Sequence, residues 1–133
     1  MIDKVKNLIA YQVAKQLVKE VYIVLNGFPK EEQFALCDQL RRAVISVPSN
    51  IAEGMGRTGE KEQAHFLDIA YGSLLEAQCQ LEIAQELGYI NEQLYNQIDE
   101  QADKLGAMIV TLRSIRRHSA HQPISPSAYQ PKK

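Results

Sequence analysis

Three groups of residues in this 133-residue chain have types and spacings that could do chemistry. The first is Glu62-Gln63-Ala64-His65, a Glu-x-x-His pair one helical turn apart. Di-iron helical bundles use that pair twice, together with two further inward Glu. Neither His118 nor His121 follows a Glu at the required spacing, so the ligand set is incomplete and His65 is expected on an exposed helix face. The second group is Cys37 and Cys79, which form no C-x-x-C pair and read as two reduced, buried thiols. The third is Arg113, Arg116 and Arg117, placed at i, i+3 and i+4 with Lys104 earlier on the same segment. Such a cluster could hold a phosphate backbone. It would equally complement the negative end of a helix dipole. No G-x-S-x-G, P-loop or H-E-x-x-H motif occurs. The expectation is a non-enzymatic protein with no catalytic residue, metal or cofactor.

The net charge of -1 argues against a general nucleic-acid coat, but it conceals a division. Residues 59–90 carry six acids and one base, whereas every charged residue from Lys104 onward is basic. The longest uncharged apolar-rich run, residues 43–52, is interrupted by Pro48 and is too short to span a membrane. With Asp3 near the start and no apolar leader core, a cytoplasmic location is expected. The length suits one domain.

Glycine and proline divide the chain into four long segments and a tail. Leu8, Tyr11, Ala14, Leu17, Val18, Val21, Tyr22 and Leu25 recur at helical steps across residues 7–26, before Gly27 and Pro29. A second helix is expected from Lys30, with Leu36, Leu40, Ala43, Val44, Val47 and Ile51 as its apolar stripe and a kink near Pro48. The third, residues 60–87, has an inner line of Phe66, Ile69, Ala70, Ser73, Ala77, Leu81, Ala84 and Leu87. Asn91 is suited to cap the fourth, which carries Leu94, Ile98, Leu105, Ile109, Leu112 and Ile115. These elements predict an all-α, antiparallel up-down-up-down four-helix bundle over residues 1–118. Residues 119–133, with three of the five prolines, are expected to be a disordered tail.

Two features exceed what a bundle core needs. Leu67, Tyr71, Leu74 and Leu75 flank the third helix's inner line; they are either a wide buried face or a subunit interface, and the interface is preferred. Gln39, Arg42, Ser46, Asn50 and Glu53 form a mixed-polar stripe on the second helix beside Pro48. They suit either a hydrogen-bonded network between helices, which is preferred, or a groove; Glu76 is a candidate partner for Arg42. Asp99, Glu100 and Asp103, by contrast, read as a solvated face.

The run Ser46-Val47-Pro48-Ser49-Asn50-Ile51-Ala52-Glu53-Gly54 resembles the core motif of a bacterial family. Phe28-Pro29, Gln39-Leu40-Arg41-Arg42-Ala43, Gly56-Arg57, Phe66-Leu67, Gly72-Ser73-Leu74 and Leu87-Gly88-Tyr89-Ile90 extend the likeness over residues 7–118. The family is the four-helix bundle proteins, also called 23S ribosomal RNA intervening-sequence proteins; Gln63 stands where its members often have an aromatic. The resemblance implies small helical subunits that assemble into rings of five. Some members are encoded within intervening sequences of ribosomal RNA genes. A related branch, the accessory variability proteins of retroelements, partners a reverse transcriptase and binds nucleic acid. The resulting expectation is a homopentamer that binds RNA or a nucleic-acid-associated protein through Lys104, Arg113, Arg116 and Arg117. The alternative is a protein-interaction scaffold without nucleic-acid binding.

Overall fold

The computed structural model describes Met1 and residues 3–119, with side chains described as far as Arg116. A short helix, α1 (Asp3–Lys6), precedes α2 (Ile9–Leu25), α3 (Leu36–Met55), α4 (Glu60–Glu86) and α5 (Glu92–Ser119). The four long helices run up and down in turn. Each packs on its sequence neighbour, and α2 closes the bundle against α5. This is the expected all-α architecture. Of the tail expected from residue 119, Ser119 ends α5 and residues 120–133 lie outside the described residues.

The second long helix starts later than its charge pattern suggests. Lys30–Glu32 forms a single 3-10 turn, and Ala35 leaves helical geometry with φ -124° and ψ -100°. The Glu32 carboxylate accepts the Leu36 amide at 3.5 Å and the Tyr89 hydroxyl at 2.9 Å. It therefore ties the entry of α3 to the α4–α5 connection instead of serving the first turn of a helix. From Leu36, α3 continues through Pro48 to Met55 without a break. The apolar stripe stays in phase across the proline, so burial of Val44, Val47 and Ile51 offsets the one backbone hydrogen bond that Pro48 cannot donate.

Close approach of α3 and α4 depends on Gly54, where a Cβ would lie 3.0 Å from Phe66 Cβ and 3.2 Å from the Gln63 carbonyl oxygen. The other end of α4 closes on Gly88, at φ +84°. The Tyr89 amide returns to the Ala84 carbonyl at 2.9 Å and the Gly88 amide to Gln85 at 3.0 Å, the paired bonds of a Schellman cap. Asn91 then caps α5 as expected, its Oδ1 accepting the Leu94 amide at 2.8 Å.

The core is lined by Leu17, Leu25, Leu40, Ile51, Leu67, Leu74, Leu81, Ile98, Leu105 and Ile109, all fully buried. Each such side chain contributes roughly 1.5–3 kcal/mol through loss of apolar surface from water. The phase of α4 differs from the expected one by about 50°. Leu67, Ala70, Leu74, Ala77, Leu81 and Ala84 point inward, whereas Ile69 and Leu87 are 38% and 56% exposed. Apolar residues occur on both arcs of this helix, so periodicity alone admits either phase. Packing selects the arc in which Ala alternates with Leu and the neighbouring helices can close in.

Candidate functional site

The basic end of α5 is not an open patch. The Arg113 guanidinium is buried and donates through Nε and Nη2 to both carboxylate oxygens of Asp68 on α4. Arg113 is thereby removed from the proposed phosphate-binding cluster, because its charge is spent on a partner 45 residues away. Arg116 lies half-buried across the end of the bundle, with Nη1 3.5 Å from the Leu112 carbonyl oxygen and Nη2 3.4 Å from the Met55 sulfur. Lys104 is exposed, 3.7 Å from Glu100 on its own helix. The side chain of Arg117 lies outside the described residues.

The preferred interface residues also separate. Leu67 and Leu74 are core residues, 0% and 1% exposed, so the wide-buried-face alternative holds for them. Tyr71 is half-buried against the core, and of the four only Leu75, 38% exposed, reaches the surface. The outward arc of α4 instead presents Ile69, Leu75, Ile83 and Leu87.

A hydrogen-bonded link between helices does form, from part of the mixed-polar stripe. Ser46 Oγ on α3 and Ser73 Oγ on α4 are 2.7 Å apart. Asn50 Nδ2 donates to Ser46 Oγ at 2.9 Å and to the Ser46 carbonyl at 2.8 Å. Gln39, Arg42 and Glu53 lie outside this cluster and are exposed. Arg42 sits 4.0 Å from Asp38, not on Glu76, whose carboxylate has Gln80 3.5 Å away. Glu53 holds Arg57 at 2.6 Å. Pro48 is buried on the opposite edge of α3, toward α2.

Three polar features escaped the sequence reading. Gln78, 9% exposed, donates from α4 to Asp99 at 3.0 Å and Asp103 at 2.8 Å, so these two acids are tied to a neighbouring helix and are not simply solvated. Tyr95 lies beside the same acids, and burial together with Asp99 pushes its phenol above the ordinary value. Asp68 and Glu32 likewise act on partners 45 and 57 residues distant, which no local spacing could reveal. The thiols divide as well. Cys37 is buried as expected, and burial pushes its pKa up, but Cys79 is exposed because α4 turns it away from the core. His65 is exposed, its ring edge against Phe66, and no three metal-ligating side chains gather among the described residues.

These features define a helical bundle protein whose conspicuous polar groups lock helices together. A family model described as 23S rRNA-intervening sequence protein matches residues 6–111. The chain belongs to that family. A crystal structure of a protein of unknown function from the S23 ribosomal protein family of Bacteroides thetaiotaomicron superimposes with a TM-score of 0.66. It shares 19% identity over 78% of this chain and 94% of its own, a likeness of fold. No curated protein matches the chain. Among the described residues, no helix is long and apolar enough to cross a membrane.

Proposed function

We propose that this chain is a non-enzymatic scaffold subunit that associates with copies of itself, in a ring, through the outer face of α4. The observation that carries this reading is the row Ile69, Leu75, Ile83 and Leu87, 38–56% exposed. These four fall within an arc of about 120° on one helix. Gly72 lies inside the arc with nothing within 4 Å of its missing Cβ, which leaves room for a second helix to approach. An apolar surface of this kind is expected to be covered in solution. Light scattering tests the reading: a mass well above 15.0 kDa is expected, and Ile69→Asp with Ile83→Asp should return it to that of one chain. A wild-type mass of one chain at micromolar concentration would refute it.

RNA contact at the lower end of the bundle is a second reading, and Arg116 favours it. The Arg116 guanidinium has no carboxylate partner among the described residues. The family's description also points toward ribosomal RNA genes. Binding to structured RNA should then weaken with salt and on Arg116→Ala. Affinity that ignores both would discard this reading.

A further inference from the structure

The motif at Ser46–Gly54 has a third face, turned toward α1 and α2. Pro48, Ser49, Ala52 and Glu53 form one wall of a cleft of about 640 Å³. Tyr11 and Lys15 of α2 form the other, and Val5 of α1 closes one side. Small-molecule sites have volumes of about 300–1,000 Å³.

The polar groups of this cleft are incompletely used. Tyr11 is only 9% exposed, yet its hydroxyl has no hydrogen-bond partner among the described residues. That hydroxyl is not itself buried; at the cleft surface it is available to donate to a bound acceptor. The Lys15 ammonium stands 4.8 Å from the Tyr11 ring centroid, and no carboxylate among the described residues pairs with it. The Ser49 hydroxyl likewise has no partner among the described residues. Glu53 is matched by Arg57 at 2.6 Å, so the uncompensated charge of the cleft is positive: that of Lys15, with the Met1 amino group on the same lining. A cation and two free hydroxyl donors above an apolar floor of Val5, Pro48 and Ala52 suit an anion carried on an apolar body.

We infer that this cleft binds a small organic acid. Lys15 pairs with its carboxylate, Tyr11 and Ser49 donate hydrogen bonds to the carboxylate oxygens, and the apolar body lies on Val5, Pro48 and Ala52. The cleft is remote from the α4 face, so the inference is independent of assembly.

Calorimetric titration of the full chain with octanoate and with its neutral counterpart octanamide tests this. Saturable one-to-one binding of octanoate is expected. Octanamide, and octanoate on Lys15→Met, should each bind about ten-fold more weakly or worse, the worth of one charge-assisted contact. Tyr11→Phe should weaken octanoate about three- to ten-fold. Lys19→Met, with the same charge loss outside the cleft, should leave binding unchanged. Absence of saturable octanoate binding, or equal binding of acid and amide to the wild-type chain, would overturn the inference. The acid–amide comparison needs no variant and so does not depend on how any substitution folds.

Discussion

Asp68 on α4 and Arg113 on α5 meet in a bidentate ion pair in which the guanidinium is buried and the carboxylate is 43% exposed. The pair fixes the lower halves of the two helices against each other. It also changes the meaning of the basic run at the end of α5. Three arginines at helical spacing look alike in sequence, but the bundle draws Arg113 inward and leaves Arg116 across its end. Local positive charge available to a partner is correspondingly smaller than a count of bases suggests.

Removing one partner of such a pair strands the other. Asp68→Asn leaves a buried guanidinium facing an amide and is expected to cost about 1–3 kcal/mol in urea denaturation. The partial exposure of Asp68 keeps this below the range for a fully buried pair. Arg113→Met keeps the apolar stem and removes the buried charge, so it should cost less than Asp68→Asn. Equal effects within about 0.5 kcal/mol, as at an ordinary surface site, would contradict the buried pairing.

The Ser46, Asn50 and Ser73 cluster makes a second stability prediction. Asn50→Leu removes both bonds to Ser46 and places an apolar side chain at a half-buried polar position. A loss of about 1 kcal/mol is expected. Ser73→Ala should cost less in the Asn50→Leu background than in the wild type, because the two residues share Ser46. A double-mutant cycle measures that coupling, and strict additivity would count against a connected cluster.

Tyr89 predicts an alkaline limit. Its hydroxyl donates to Glu32 at 2.9 Å, a bond available only to the neutral phenol, and this raises its pKa above the ordinary 10.0. The unfolded chain then loses the proton first. The contribution of Tyr89 to stability is intact below that ordinary value and is lost as pH rises through the higher folded value. Tyr89→Phe should be less stable than wild type at neutral pH and should lose stability less steeply on the alkaline side. Denaturation midpoints on both sides of the ordinary value check this. Tyr95, also raised, keeps part of the decline in the variant.

The two thiols should react as two populations. Cys79 is exposed, whereas Cys37 is buried with a pKa pushed up, so little of it is thiolate. An aromatic disulfide reagent at neutral pH should therefore modify one thiol per chain rapidly when the α4 face is uncovered, as in dilute protein or the Ile69→Asp, Ile83→Asp variant. The second should follow only in denaturant. Protection of Cys79 in concentrated native protein, lost in an Ile69→Asp, Ile83→Asp variant, would place it beside a subunit contact.

The four long helices, their order and most of their boundaries follow from local information in the sequence. Apolar residues at three- and four-residue steps give α2 and α5. Asn91 caps α5 through its own side chain, and Gly88 ends α4 in a left-handed conformation that other residues resist. Family membership is equally legible, because the motif from Ser46 to Gly54 is a contiguous string. Tertiary structure alone decided the phase of α4, since apolar residues occupy both of its arcs and only contact with α3 and α5 selects the one lined by Leu67, Leu74 and Leu81. It alone decided the fate of Arg113, because Asp68 lies 45 residues away and a long-range ion pair leaves no trace in local spacing. The same holds for the cleft beside Pro48. Tyr11 and Lys15 belong to α2 and Ser49 to α3, and only the packing of those helices brings a cation and two unpaired hydroxyls to one surface.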